Sequence, residues 1–143
     1  MKIVINTCYG GFHPSAKAIL RWAELSGMEL HLIKRRIPFK REMEEIYYYD
    51  EIPPEEESRN LFYMYYSTKP LNPDGTIVDN SYWYYDDEIR IDPYFIQAVE
   101  ELGEEANSHL SDLKVIEIPD DIEWEIEDYD GIEWVSEKHR TWS

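Results

Sequence analysis

The residue types and spacing best suited to chemistry lie at the start of the chain. Asn6 and Thr7 end an apolar run, Gly10, Gly11 and Phe12 form a turn, and Ser15 opens a helical pattern. Such a strand-to-helix join leaves the first N–H groups of the helix without backbone partners, which makes it a natural seat for an anion. The glycines let backbone approach a ligand, and Asn6, Thr7 and Ser15 can donate hydrogen bonds beside it. The same glycines equally serve an ordinary tight turn, and their spacing matches neither a dinucleotide fingerprint nor a Walker loop. Arg90 carries a planar fork that suits phosphate or carboxylate, although Asp92 or Glu88 could pair with it internally. His139 and Arg140 add basic groups near the end of the sequence. The candidate ligand-binding set is therefore Asn6, Thr7, Gly10, Gly11, Phe12, Ser15, Arg90, Asp92, His139 and Arg140.

Other chemistries find less support. Cys8 is the only cysteine, so an intrachain disulfide and a cysteine-based metal cluster are excluded, and a reducing compartment follows. His13, His31, His109 and His139 show no metal-ligand spacing, so no metal and no cofactor are expected. Cys8 with His13 could make a nucleophile and base, but a lone cysteine at a strand end reads as inert. The carboxylates are too numerous to single out an acid and base pair, and no catalytic residue is assigned.

The 143 residues suit one domain, and 43 % hydrophobic with 15 % aromatic content supports a folded core despite a net charge of −17. Charge is unevenly placed. Up to Arg41, eight basic residues face two acidic ones, whereas the remainder holds six basic and 29 acidic residues. Nucleic acid should be repelled on average, although Lys34-Arg35-Arg36 could attract phosphate locally or pack against the acidic part of the fold. Met1-Lys2-Ile3 leads straight into a strand with no signal-peptide type of apolar segment, so a soluble cytoplasmic protein without membrane contact is expected.

The elements that must position these residues are an apolar strand over Lys2–Asn6, placed centrally in a sheet, and a helix from Ser15 to a stop at Gly27. Leu30–Lys34 alternates as a second strand, joined to the first by a crossover through the helix, and if the two are parallel in one sheet the connection should be right-handed. From Arg35 to about Asp87 the chain holds nine of its twelve tyrosines, interrupted by Pro53-Pro54 and by Asn72-Pro73-Asp74-Gly75. This reads as an inserted aromatic antiparallel β arm over residues 35–88, whose tyrosines suit either base stacking or an ordinary sheet core. Asp92-Pro93 opens a second helix running to about His109. Lys114–Ile118 is a strand, and Ile122, Trp124 and Ile126 alternate with Glu123, Glu125 and Glu127 before the hairpin turn Asp130-Gly131. The fold class is α+β, a mixed β-sheet with two principal helices and the inserted arm in a single domain, and the arm's exposed edges are compatible with a homo-oligomer.

The segment Lys2-Ile3-Val4-Ile5-Asn6 with Cys8-Tyr9-Gly10-Gly11-Phe12 and Ser15 resembles the start of a group of short phage and prophage proteins. Arg90-Ile91-Asp92-Pro93, Val99–Gly103, Lys114–Pro119 and Asp128-Tyr129-Asp130-Gly131 through Glu137, Arg140 and Trp142 resemble the rest of it, and the tyrosine-rich middle does not take part. The resemblance implies a phage-infected bacterial cytoplasm. Small phage proteins in that setting often counter host immunity, some by sequestering nucleotide second messengers of systems such as Thoeris and CBASS.

Three functions are expected from these readings. The first is non-catalytic capture of a small phosphate-bearing nucleotide by the glycine turn, the Ser15 helix, Arg90 and Arg140, with tyrosines over the base. The second is an acidic inhibitor that imitates nucleic acid and occupies a basic groove of a host nuclease, since Glu123, Glu125 and Glu127 recur at roughly 6–7 Å along one strand face. The third is a hydrolase acting on such a nucleotide.

Overall fold

The computed structural model describes residues 1–36, 46–57 and 64–138. Two short helices are each fixed by side chains at their ends. In α1 (Ala16–Ser26), the Ser15 hydroxyl accepts from the Ala18 N–H, and Gly27, at φ 78°, closes the C-terminus by donating to the carbonyls of Ala23 and Glu24. In α2 (Pro93–Leu102), the Asp92 carboxylate accepts from the N–H groups of Tyr94 and Phe95, and Pro93 occupies the first helical position. The second helix is shorter than its sequence suggests. Gly103 breaks it, and residues Gly103–Ala106 tighten into a 3₁₀ turn.

The strands form three antiparallel ladders. β1 (Lys2–Asn6) pairs with β6 (Leu113–Glu117). A four-stranded sheet runs in the order β3 (Tyr49–Glu51), β2 (His31–Arg35), β4 (Met64–Ser67), β5 (Tyr82–Trp83). The third ladder is the hairpin of β7 (Trp124–Tyr129) and β8 (Ile132–Glu137). The class is α+β. Each pairing among the described residues is antiparallel, so α1 does not act as a crossover between parallel neighbours: β1 takes β6 as its partner, whereas β2 joins the aromatic strands. The central place expected for β1 is likewise not realised as a ladder, because β6 is its one strand partner here.

The described part of the tyrosine-rich segment is antiparallel, as its composition suggests, and it contributes to the core. Tyr66 is buried, its ring edge meets Trp83, and Trp83 stacks on Trp22 of α1 at 5.2 Å. The core joins Val4 of β1, Ile19 of α1, Leu32 of β2, Phe95 and Val99 of α2 and Leu113 of β6. α1 packs along α2, so each helix buries the apolar face that its sequence period dictates. Phe95 is fully buried at this junction and receives the edge of Phe12 from the glycine turn. Phe95→Ala should therefore lower unfolding free energy by about 3–5 kcal/mol in urea denaturation, with little change in the slope.

Candidate functional site

The glycine turn is brought against the tip of the β7–β8 hairpin. Asp130 and Gly131 both have positive φ, 53° and 90°, as a two-residue hairpin turn with the right-handed strand twist requires. A β-carbon on Gly131 would collide with the backbone nitrogens of Gly10 and Gly11, and one on Gly10 with the Leu110 carbonyl. The glycines thus permit the chain's own backbone to approach. Asn6 is fully buried and ties the two turns together: its amide donates to the carbonyls of Cys8 at 2.7 Å and Gly131 at 2.6 Å, and its carbonyl accepts from Asp112 N–H at 2.8 Å. The Thr7 hydroxyl donates to the Asp112 carbonyl.

Arg90 reaches the same place from the 3₁₀ helix Asp87–Ile91. Its two terminal nitrogens donate to the two oxygens of Glu133, each at 2.7 Å, and both side chains are over nine-tenths buried. Phe12 covers the guanidinium at 3.9 Å from its ring centre. The pair also completes β1. Thr7 N–H bonds to Asp112 and Ile118 N–H to the Met1 carbonyl, so the odd residues of β1 face β6. The even residues point the other way, and there Arg90 donates to the Val4 carbonyl at 3.3 Å while Glu133 accepts from Asn6 N–H at 2.8 Å.

The start of α1 is occupied as well. The Ala16 N–H donates to the Glu57 carboxylate at 3.0 Å, and the Ser15 hydroxyl accepts from Ala18 N–H and donates to the Glu105 carbonyl. Burial pushes the Glu57 carboxyl above its ordinary range, against the opposing pull of the Ala16 N–H and of His109. Burial and the nearby Asp112 carboxylate likewise raise the Cys8 thiol, which keeps it in the unreactive protonated form.

Of the sequence-derived set, Asn6, Thr7, Gly10, Gly11, Phe12 and Arg90 converge, and they converge on Gly131 and Glu133. Ser15 and Asp92 serve as helix caps. His139 and Arg140 lie outside the described residues. The functional positions that sequence reasoning missed are Glu57 and Glu133, two carboxylates standing where an external anion was expected. Nothing in their local sequence distinguishes them from the other acidic residues.

The outward surfaces are of a different character. On β7, Trp124, Ile126 and Asp128 face Arg90 and Glu133, so Glu125, Glu127 and Tyr129 occupy the opposite face, beside Ser136, Trp134 and Ile132 of β8. Tyr129 and Trp134 are 70 % and 43 % exposed. The Trp134 indole donates to Glu127 at 2.9 Å. Among the described residues no lysine or arginine pairs with Glu123, Glu125, Glu127 or Asp128. No group of three or more metal-ligating side chains occurs among the described residues, and no helix among them is long and apolar enough to cross a membrane. Comparisons with protein-family models, curated proteins and solved structures gave no match.

Two outcomes follow from this site. Arg90→Met or Glu133→Leu alone should cost about 3–5 kcal/mol, because each strands a buried charge, and the double variant should cost less than the sum of the two in urea denaturation. For Glu57 the raised native value means that the folded chain holds the proton more tightly than the unfolded one. Stability should then fall as pH rises from about 4.5 through the raised value, and Glu57→Gln should flatten that decline in thermal melts across pH.

Proposed function

We propose that this protein is a non-catalytic acidic binding protein whose β7–β8 hairpin imitates a nucleic-acid strand and occupies a basic groove on a partner, of the kind found on a nuclease. The observation that carries the reading is the direction of its charge. Three arginines among the described residues are matched internally: Arg90 by Glu133, Arg36 by Asp50, Arg21 by Glu101 and Glu24. The helix start at Ala16 is consumed by Glu57. The segment from Asp120 to Lys138 meanwhile carries nine carboxylates against one lysine.

Capture of a phosphate-bearing nucleotide at the glycine turn is less well supported, because the seat is filled by Gly131 and its arginine is already matched. Mimicry asks for less. Carboxylates on alternate residues of one strand stand roughly 6–7 Å apart, and exposed Tyr129 and Trp134 add the aromatic contact area common at the centre of protein interfaces. The likeness to phage and prophage proteins fits a host protein as the partner and the bacterial cytoplasm as the setting.

The test is retention of a nuclease from bacterial lysate on the immobilised protein, followed by assay of its DNA cleavage. Retention and inhibition should weaken steeply between low and high salt. Glu123→Lys/Glu125→Lys/Glu127→Lys should lower affinity about 100-fold through like-charge contact while the melting temperature holds. A retained set of proteins that ignores both salt and the triple substitution would refute the proposal.

A further inference from the structure

A second surface feature lies next to the hairpin, on the other side of the 3₁₀ helix Asp87–Ile91. Asp87 and Arg90 of that helix face the hairpin, whereas Glu88, Ile89 and Ile91 line a cleft of about 350 Å³. The aromatic wall of the cleft consists of Trp22, Trp83, Tyr84 and Tyr85. These rings are held rigidly in two stacks, Trp22 on Trp83 at 5.2 Å and Tyr84 on Tyr85 at 4.3 Å, and the hydroxyl of Tyr84 donates to that of Tyr85 at 3.0 Å. Three carboxylates complete the rim: Asp86, Glu88 and Asp92. Among the described residues no cationic one lines it.

Aromatic walls and carboxylates of one sign favour one chemical class. Ring faces attract a cation, and carboxylate oxygens take its N–H groups, so an organic cation with several donors gains from both. Two of the carboxylates are already oriented by the backbone. Asp86 accepts from Glu88 N–H, and Asp92 from Tyr94 and Phe95 N–H, in each case through one oxygen, Oδ1. The second oxygen of each accepts no hydrogen bond from another described residue. A planar guanidinium fits this combination better than a compact ammonium, because it combines stacking on aromatic faces with forked bonding to carboxylates. The volume is at the small end of the range for ligand sites, the size of one long side chain rather than of a large cofactor.

We infer that the cleft is a pocket for an arginine side chain of the basic partner, entered from the side of the 3₁₀ helix away from the hairpin. The inference rests on the proposed function for the partner's basic character, and its chemistry can be tested separately. The probe is the capped tripeptide acetyl-Gly-Arg-Gly-amide, with acetyl-Gly-citrulline-Gly-amide as its uncharged counterpart, followed by titration calorimetry and by the fluorescence of the tryptophans in the cleft. The arginine peptide should bind saturably, the citrulline peptide at least about tenfold more weakly, and Glu88→Gln should reduce arginine-peptide binding by about tenfold. Glu88 is exposed and caps neither helix, so this variant leaves the fold intact.

The triple hairpin substitution should leave peptide binding unchanged while abolishing nuclease retention. Equal binding of the two peptides, no effect of Glu88→Gln, or parallel loss in the hairpin variant would each overturn the pocket, the last because it would reveal attraction to diffuse negative charge. A cleft that binds the arginine peptide while no salt-sensitive partner is retained would instead remove the hairpin reading. Binding of free agmatine with no binding of the tripeptide would also overturn the inference, since it would make the cleft a small-molecule site.

Discussion

Among the described residues the first strand has a strand neighbour on one side only, and the way its other side is completed governs the rest of the structure. An open ladder edge within a core leaves backbone N–H and C=O groups that cannot be abandoned without a penalty of about 1–3 kcal/mol each. Here a side-chain ion pair substitutes for the missing strand. Arg90 gives a donor to Val4, Glu133 gives an acceptor to Asn6, and the two groups neutralise each other with two further bonds. The 3₁₀ helix that supplies Arg90 and the hairpin that supplies Glu133 are thereby fixed against β1. Gly131 then becomes necessary as the one residue thin enough for the two turns to meet, and Gly10 for its approach to the Leu110 carbonyl.

This arrangement has an electrostatic corollary. A chain with 31 acidic and 14 basic residues has few cations to spare, and several of them are spent on internal structure. What faces outward is correspondingly negative. Net charge alone sets a general negative field, whereas specific recognition of a charged partner requires that the carboxylates be ordered. The β7–β8 ladder provides that order, since alternation along a strand holds acidic groups on one face without any contact between them.

Features determined by neighbours in sequence were legible before the structure. Ser15 and Gly27 delimit α1, Asp92-Pro93 opens α2, and Asp130-Gly131 turns the hairpin, because each acts through hydrogen bonds or dihedral limits spanning a few residues. The helix expected to reach about His109 stops at Leu102, and Ala106, apolar and buried as a helical residue would be, is buried from a 3₁₀ turn. Features set by distant partners were not legible. Whether β2 would join β1 or the tyrosine strands depends on which surfaces α1 and α2 leave uncovered, and local pattern carries no record of that. Glu57 and Glu133 sit 41 and 43 residues from the groups they neutralise, among many chemically identical candidates. An internal ion pair for Arg90 was legible, with Asp92 or Glu88 as the nearby candidates; that its partner is Glu133 was not.

The placement of β1 also bears on how the protein is made. Among the described strands β1 is synthesised first, yet its ladder partner begins at Leu113 and the carboxylate that caps its other side is at position 133. During synthesis the apolar run Ile3-Val4-Ile5 therefore stays without these partners until they too have emerged. Contacts of such sequence separation slow folding and prolong the exposure of aggregation-prone segments, which makes this run a segment for a chaperone to shield.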